Sequence, residues 1–174
     1  MSRIIVLGGG YAGLMAAERI GRKHQVTLVN GDDSFVERIR LHEVASGKPA
    51  RRHPIRRMLR GTGVEFVQGW AQVLDPHTRT VTVHTPAGPA TLSYDILVYA
   101  LGSTPNVYNV PGADAHAYRL TASGPRSAQA LAERARELAA RSGRMVVVGG
   151  GLTGIEAAAE FAETYPNLRV WRAS

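Results

Sequence analysis

The first apolar run, Ile4-Ile5-Val6-Leu7, stops at Gly8-Gly9-Gly10 and gives way to a small-residue segment from Tyr11 to Glu18. An unbroken apolar run bounded by glycine predicts a strand, and the segment after it predicts a helix. Val26 to Val29 is a second β-rich run. Pro54 suits the first turn of a short helix running to about Arg60, which Gly61-Thr62-Gly63 breaks before a strand over Val64 to Val67. Val73-Leu74, Thr80 to Val83 and Thr91-Leu92 are short β-rich pieces separated by Asp75-Pro76 and Pro86-Ala87-Gly88-Pro89, turn chemistries that predict a β-meander. Tyr94 to Leu101 is a nearly continuous apolar strand of the kind found in sheets covered on both faces, and Gly102-Ser103-Thr104-Pro105 ends it.

From Pro105 to Pro125 the sequence is rich in Pro, Gly, Asn and Ser without a period, which predicts a linker. Ala128, Leu131, Ala132, Ala135, Leu138 and Ala139 then recur at helical spacing. The chain next repeats its own opening. Arg144 to Val148, Gly149-Gly150-Gly151 and Leu152 to Ala159 match the first strand, glycine turn and helix, and Leu168 to Trp171 supplies the strand after them. The expected fold is α/β: a Rossmann-like three-layer unit with a small β-meander, then the truncated start of a second Rossmann unit.

With 174 residues, 44% of them hydrophobic, the chain can bury one core, or one core and a fragment of another. No apolar run approaches the ~20 residues of a membrane span. The segment Met1 to Leu7 is too short for a signal-peptide core, so secretion is not expected. Cysteine is absent, which excludes disulfides, thiolate metal sites and a dithiol relay in this chain, and no metal site is expected. Any electron transfer therefore needs a cofactor. The net charge of +7, carried almost wholly by arginine, suits nucleic acid, an anionic membrane or a phosphate-rich ligand. The basic stretches lack interleaved aromatics, so no nucleic-acid partner is expected.

Gly8, Gly10 and Gly13 form a G-x-G-x-x-G between a strand and a helix, the context in which that pattern holds a dinucleotide. The first glycine permits the turn, the second lets backbone approach a pyrophosphate, and the third brings helix and strand together. Tyr11 and Ala12 lie within the same turn, whose helix N-terminus favours an anion. Gly149, Gly151 and Gly154, with Thr153 between the last two, repeat the pattern. The ribose position about 20 residues on is usually Asp or Glu, but here it is Asn30. Its amide can bond a ribose hydroxyl, Asp32 can substitute for it, or Asn30-Gly31-Asp32 is a plain turn.

Two such fingerprints joined by a segment ending Tyr94 to Pro105 resemble the two-dinucleotide flavoproteins, and the resemblance covers Ile4 to about Val170. It implies FAD on the first fingerprint and NAD or NADP on the second, with Ala71 near the adenine and Gly102 near the flavin ring. For both residues, simple packing or a turn is the other reading. Phe35 to Gly47 looks like the segment that passes the flavin in type II NADH dehydrogenases. That branch implies hydride transfer from NAD(P)H to the flavin, then electron transfer to a quinone or another small acceptor. Arg40 and His42, with Arg38, either place charge near the flavin or form a solvated helix face. Glu156 either lies near the nicotinamide or complements a helix dipole. The arginines at 51, 52, 56, 57 and 60 suit either a membrane surface or an exposed helix face.

The resemblance sets expected domains at 1–110 for FAD, 111–125 as linker and 126–174 as the opening of the NAD(P) domain, with more chain expected beyond it. Arg172 falls near the second ribose position, where its charge would suit NADP. A cytoplasmic enzyme, peripheral on the inner face of a membrane or free of it, is the expected setting, with a homodimer open for the longer protein. The alternatives are a truncated nucleotide-binding module without turnover, and an NAD-only Rossmann dehydrogenase, which leaves the second fingerprint unexplained.

Overall fold

Successive residues of β1 (Arg3–Leu7) point to opposite faces of a sheet, and both faces are buried. The computed structural model describes residues 1–107, 109–122 and 126–173. After β1 come α1 (Tyr11–Gly21), β2 (Gln25–Asn30), β3 (Ser34–Val36), a 3-10 turn (Arg38–Arg40) and α2 (Leu41–Ser46). Then follow β4 (Arg52–Pro54), α3 (Ile55–Met58), β5 (Val64–Gln68), β6 (Trp70–Asp75), β7 (Thr80–Thr85), β8 (Gly88–Ser93) and β9 (Ile96–Tyr99). The chain ends with α4 (Ala113–His116), α5 (Ala128–Ala140), β10 (Arg144–Val148), α6 (Leu152–Thr164) and β11 (Arg169–Ala173). Two compact units result: Met1–Val36 with Arg52–Thr104, and Glu37–Arg51 with Pro105–Ser174.

In the first unit a parallel sheet runs in the order β5-β2-β1-β9. Ile4 and Val6 share one core with Leu14 and Ala17 of α1 and Ile55 of α3, while Ile5 and Leu7 share another with Val81 and Val83 of β7. Helices thus cover one face and the antiparallel β6-β7-β8 meander the other, the three-layer arrangement the sequence predicts. Fully burying side chains such as Val6 and Leu28 contributes about 1.5–3 kcal/mol each.

Two expectations need correction. Pro54 is the last residue of β4, paired with Ser34, and caps a helix that ends at Met58 instead of running to Arg60. The chain closes there because the Thr62 hydroxyl donates to the Leu59 carbonyl at 2.7 Å. The apolar segment Tyr94 to Leu101 forms only β9, an edge strand among the described residues. Ile96 is 50% and Tyr99 69% exposed, so this strand is not covered on both faces.

The second unit packs α2 against α5 and α6, and α6 against the parallel pair β10-β11. Ala128, Ala132 and Ala135 bury one stripe of α5, whose first turn is capped by the Ser127 hydroxyl accepting from the Ala130 N–H at 3.5 Å. Phe161 of α6 is 1% exposed and stacks on Tyr165 at 6.5 Å. The aperiodic stretch read as linker contains the turn α4, and its expected end, Pro125, lies outside the described residues, as does Ser174. Residues 37–51 group with the second compact unit. Among the described residues no helix is long and apolar enough to cross a membrane.

Candidate dinucleotide sites

The turn from β1 into α1 begins with Gly8 at φ +103°, a conformation that side chains disfavour. A methyl group at Gly13 would overlap the Gly8 carbonyl oxygen, so helix and turn meet only because residue 13 has no side chain. Gly10, the helix N-cap, is extended, and no protein atom lies within 4 Å of where its Cβ would be. The three glycines thus differ in structure: a left-handed turn at Gly8, open space at Gly10 and close helix-to-turn packing at Gly13. Tyr11 packs edge-on against Phe35, with ring centroids 4.8 Å apart, and Ala12 is exposed. Ala100, in the segment that joins the two fingerprints, passes beside Gly8: a Cβ on Gly8 would overlap the Ala100 carbonyl oxygen. Gly102 follows two residues on.

The second turn repeats the arrangement. Gly149 has φ +126°, a methyl at Gly154 would overlap the Gly149 carbonyl oxygen, and a Cβ at Gly151 meets nothing within 4 Å. Even the strand contact recurs: the Gly8 N–H donates to Val29 and the Gly149 N–H to Ala173, both at 2.8 Å. Thr153 lies in the exposed first turn of α6. The matched registers correct one expectation. Leu7 pairs with Val29 as Val148 pairs with Ala173, so the counterpart of Asn30 is residue 174, outside the described residues, and not Arg172, which lies within β11.

Asn30 is engaged by the protein itself. Its side-chain oxygen accepts the Gly9 N–H at 2.8 Å, and its amide donates to the Asp32 carbonyl at 2.8 Å. One lone pair and one N–H remain for a ribose. Ala71 pairs with Val83 and packs on the meander-side core, next to a bulge between Ala71 and Val73. Sequence reading passed over Trp70 beside it, whose indole lies against Gly31 while remaining 63% exposed. A lone tryptophan starting a strand carried no periodic signal.

Arg40 and His42 belong to the second unit. The Arg40 guanidinium makes two 2.9 Å bonds to the Glu43 carboxylate and lies 3.8 Å from Glu37. The Arg40 bond holds the Glu43 carboxyl below the usual carboxylate range. His42 Nδ1 lies 3.8 Å from Glu156 Oε2, an ion pair only when the imidazole is protonated. Glu156 lies beyond the first turn of α6, which contains no acidic residue, so dipole complementation accounts for little of it. A further cluster ties α2 to α6. Ser46 Oγ donates to the Glu43 carbonyl at 2.8 Å and lies 3.2 Å from Glu160, Lys48 bonds Glu160 at 2.7 Å, and Tyr165 donates to the Ser46 carbonyl at 2.7 Å. That bond to Glu160 raises the Lys48 pKa above its ordinary value.

The open space beyond Gly10 and Gly151, each at a helix N-terminus, fits a dinucleotide's pyrophosphate at both turns. Comparison with known proteins agrees with that chemistry. Residues 2–170 match the family model for pyridine nucleotide-disulphide oxidoreductases. An external alternative NAD(P)H-ubiquinone oxidoreductase, B4, of Arabidopsis thaliana mitochondria is 27% identical over 96% of this chain and 34% of its own length. The type II NADH:quinone oxidoreductase of Staphylococcus aureus is 25% identical over 95% and 44%. The chain therefore spans between a third and a half of these relatives. Among solved structures, NDH2 of Plasmodium falciparum in complex with NADH superposes with a TM-score of 0.82 at 22% identity, over 98% of this chain and 41% of that one, a likeness of fold. The water-forming NADH oxidase of Lactobacillus brevis bound to NADH gives 0.73 at 26%, over 99% and 40%. With two fingerprints of matching geometry inside a family match that covers nearly its whole length, the chain belongs to the pyridine nucleotide-disulphide oxidoreductase family.

Proposed function

We infer that this chain is the dinucleotide-binding portion of an FAD-dependent NAD(P)H dehydrogenase of the type II, quinone-reducing kind. The observation that carries this reading is the duplicated glycine turn, with its open second glycine and close-packed third, in a family member. Gly8, Gly10, Tyr11, Ala12, Gly13 and Asn30 would hold FAD, with Ala71 and Gly102 toward its two ends. Gly149, Gly151, Thr153 and Gly154 would hold NADH or NADPH. When bound, FAD supplies a two-electron acceptor for the nicotinamide hydride and a donor to a quinone or other small acceptor. The chain's own part is to fix both pyrophosphates on helix N-termini and to keep Glu156 beside His42. Domains of 1–110 and 126–174, a cytoplasmic setting with or without peripheral membrane contact, and a homodimer belong to the same proposal. The names of the quinone-reducing relatives support the acceptor.

The test is to purify the protein, record its flavin absorbance and follow NADH and NADPH oxidation with a soluble quinone. A yellow protein that turns over is expected. A colourless one that cannot be reconstituted with FAD overturns the reading.

A further inference from the structure

Gly31 follows β2, and a Cβ on it would overlap the six-membered ring of the Trp70 indole, so the ring lies directly on the Gly31 backbone. The Gly69 N–H donates to the Asn30 carbonyl at 2.9 Å, which fixes the start of β6 against the end of β2. Yet the indole is 63% exposed, a large apolar surface held in place at the sheet's edge, by the strand ends. Its position in the sheet gives it a use. In the order β5-β2-β1-β9 the glycine turn follows β1, Asn30 ends β2, and Trp70 stands just past the end of β5. Moving outward along the carboxyl ends, where open parallel sheets bind ligands, the chain thus presents a pyrophosphate turn, a ribose-side amide and then an aromatic ring.

We propose that Trp70, backed by Gly31, is the stacking platform for the adenine base of the dinucleotide held at Gly8 to Gly13. This rests on the reading of that turn as a dinucleotide site. A purine in contact with the indole gains affinity that a ligand lacking the base does not.

The test uses the 174-residue chain with Trp171→Phe, which leaves Trp70 as its single tryptophan. ADP, which does not absorb the indole's emission, should shift that emission saturably. Trp70→Phe should keep ADP affinity within about threefold, and Trp70→Ala should weaken ADP and FAD roughly five- to a hundredfold in calorimetry, with circular dichroism unchanged. The Trp70→Phe chain keeps Trp171 of the second unit, so its emission separates binding at the other turn. If ADP binds while Trp70 emission stays constant and Trp70→Ala binds equally, the platform is overturned and the site at Gly8 to Gly13 stands. If neither ADP nor FAD binds the unsubstituted chain, both fall.

Discussion

The side-chain oxygen of Asn30 accepts the Gly9 N–H at 2.8 Å, so the residue at the expected ribose position also secures the glycine turn. Asn30→Ala leaves that buried N–H unpaired, at a cost of about 1–3 kcal/mol. Asn30→Asp keeps the acceptor and should recover most of that stability, while losing the donor to Asp32. Thermal melts read beside FAD calorimetry check this. An unchanged melting point for Asn30→Ala would mean that the amide serves only a ligand.

The two glycines on either side of Tyr11 and Ala12 should fail in different ways. Gly10 is extended with open space around it, so Gly10→Val should fold, at about 1 kcal/mol or less, and lose FAD binding. Gly13→Ala drives a methyl into the Gly8 carbonyl and should cost stability first, about 1–3 kcal/mol. Full FAD affinity in Gly10→Val would make the turn purely structural.

Acid should reveal a tether at the start of β1. Asp95 accepts the Arg3 N–H at 2.7 Å and the Arg3 guanidinium at 3.1 Å, and those bonds hold its carboxyl below its ordinary value. A carboxylate depressed on folding contributes stability above its unfolded pKa of about 3.9, and that contribution is lost as pH falls through the lower folded value. Asp95→Asn should therefore melt below the unsubstituted chain at neutral pH and converge with it in acid. A gap in melting temperature that stays constant from neutral to acid pH would contradict the assignment.

In the second unit, Tyr165→Phe removes the donor to the Ser46 carbonyl and should cost about 0.5–1.5 kcal/mol, with faster hydrogen exchange in α2. Phe161→Ala should cost about 3–5 kcal/mol, because its buried ring fills the core side of α6. Equal exchange in α2 for Tyr165→Phe and the unsubstituted chain would show that the hydroxyl does not hold that helix.

Much of this was readable from residue order, since a strand, a glycine turn and a small-residue helix are adjacent in sequence and governed by local sterics. The meander was legible for the same reason, each strand being bounded by Pro or Gly. What stayed hidden depends on distant partners. Nothing in Tyr94 to Leu101 says that its strand lies at an edge, and nothing in Asn30 says that Gly9 claims its oxygen. Arg172 was misplaced because only the pairing of Val148 with Ala173 sets the count, and Trp70 went unseen because its role depends on Gly31.

Residues 37–51 are encoded inside the first unit yet pack in the second. The polypeptide therefore passes from one unit to the other three times, and no single cut separates them. During synthesis α2 leaves the ribosome before either α5 or α6 exists, with Leu41 and Ala45 awaiting partners still to be translated. A proteolytic nick between 104 and 105 would strand residues 37–51 of the second unit on the amino-terminal fragment, so the second unit should be completed only when the two pieces are mixed.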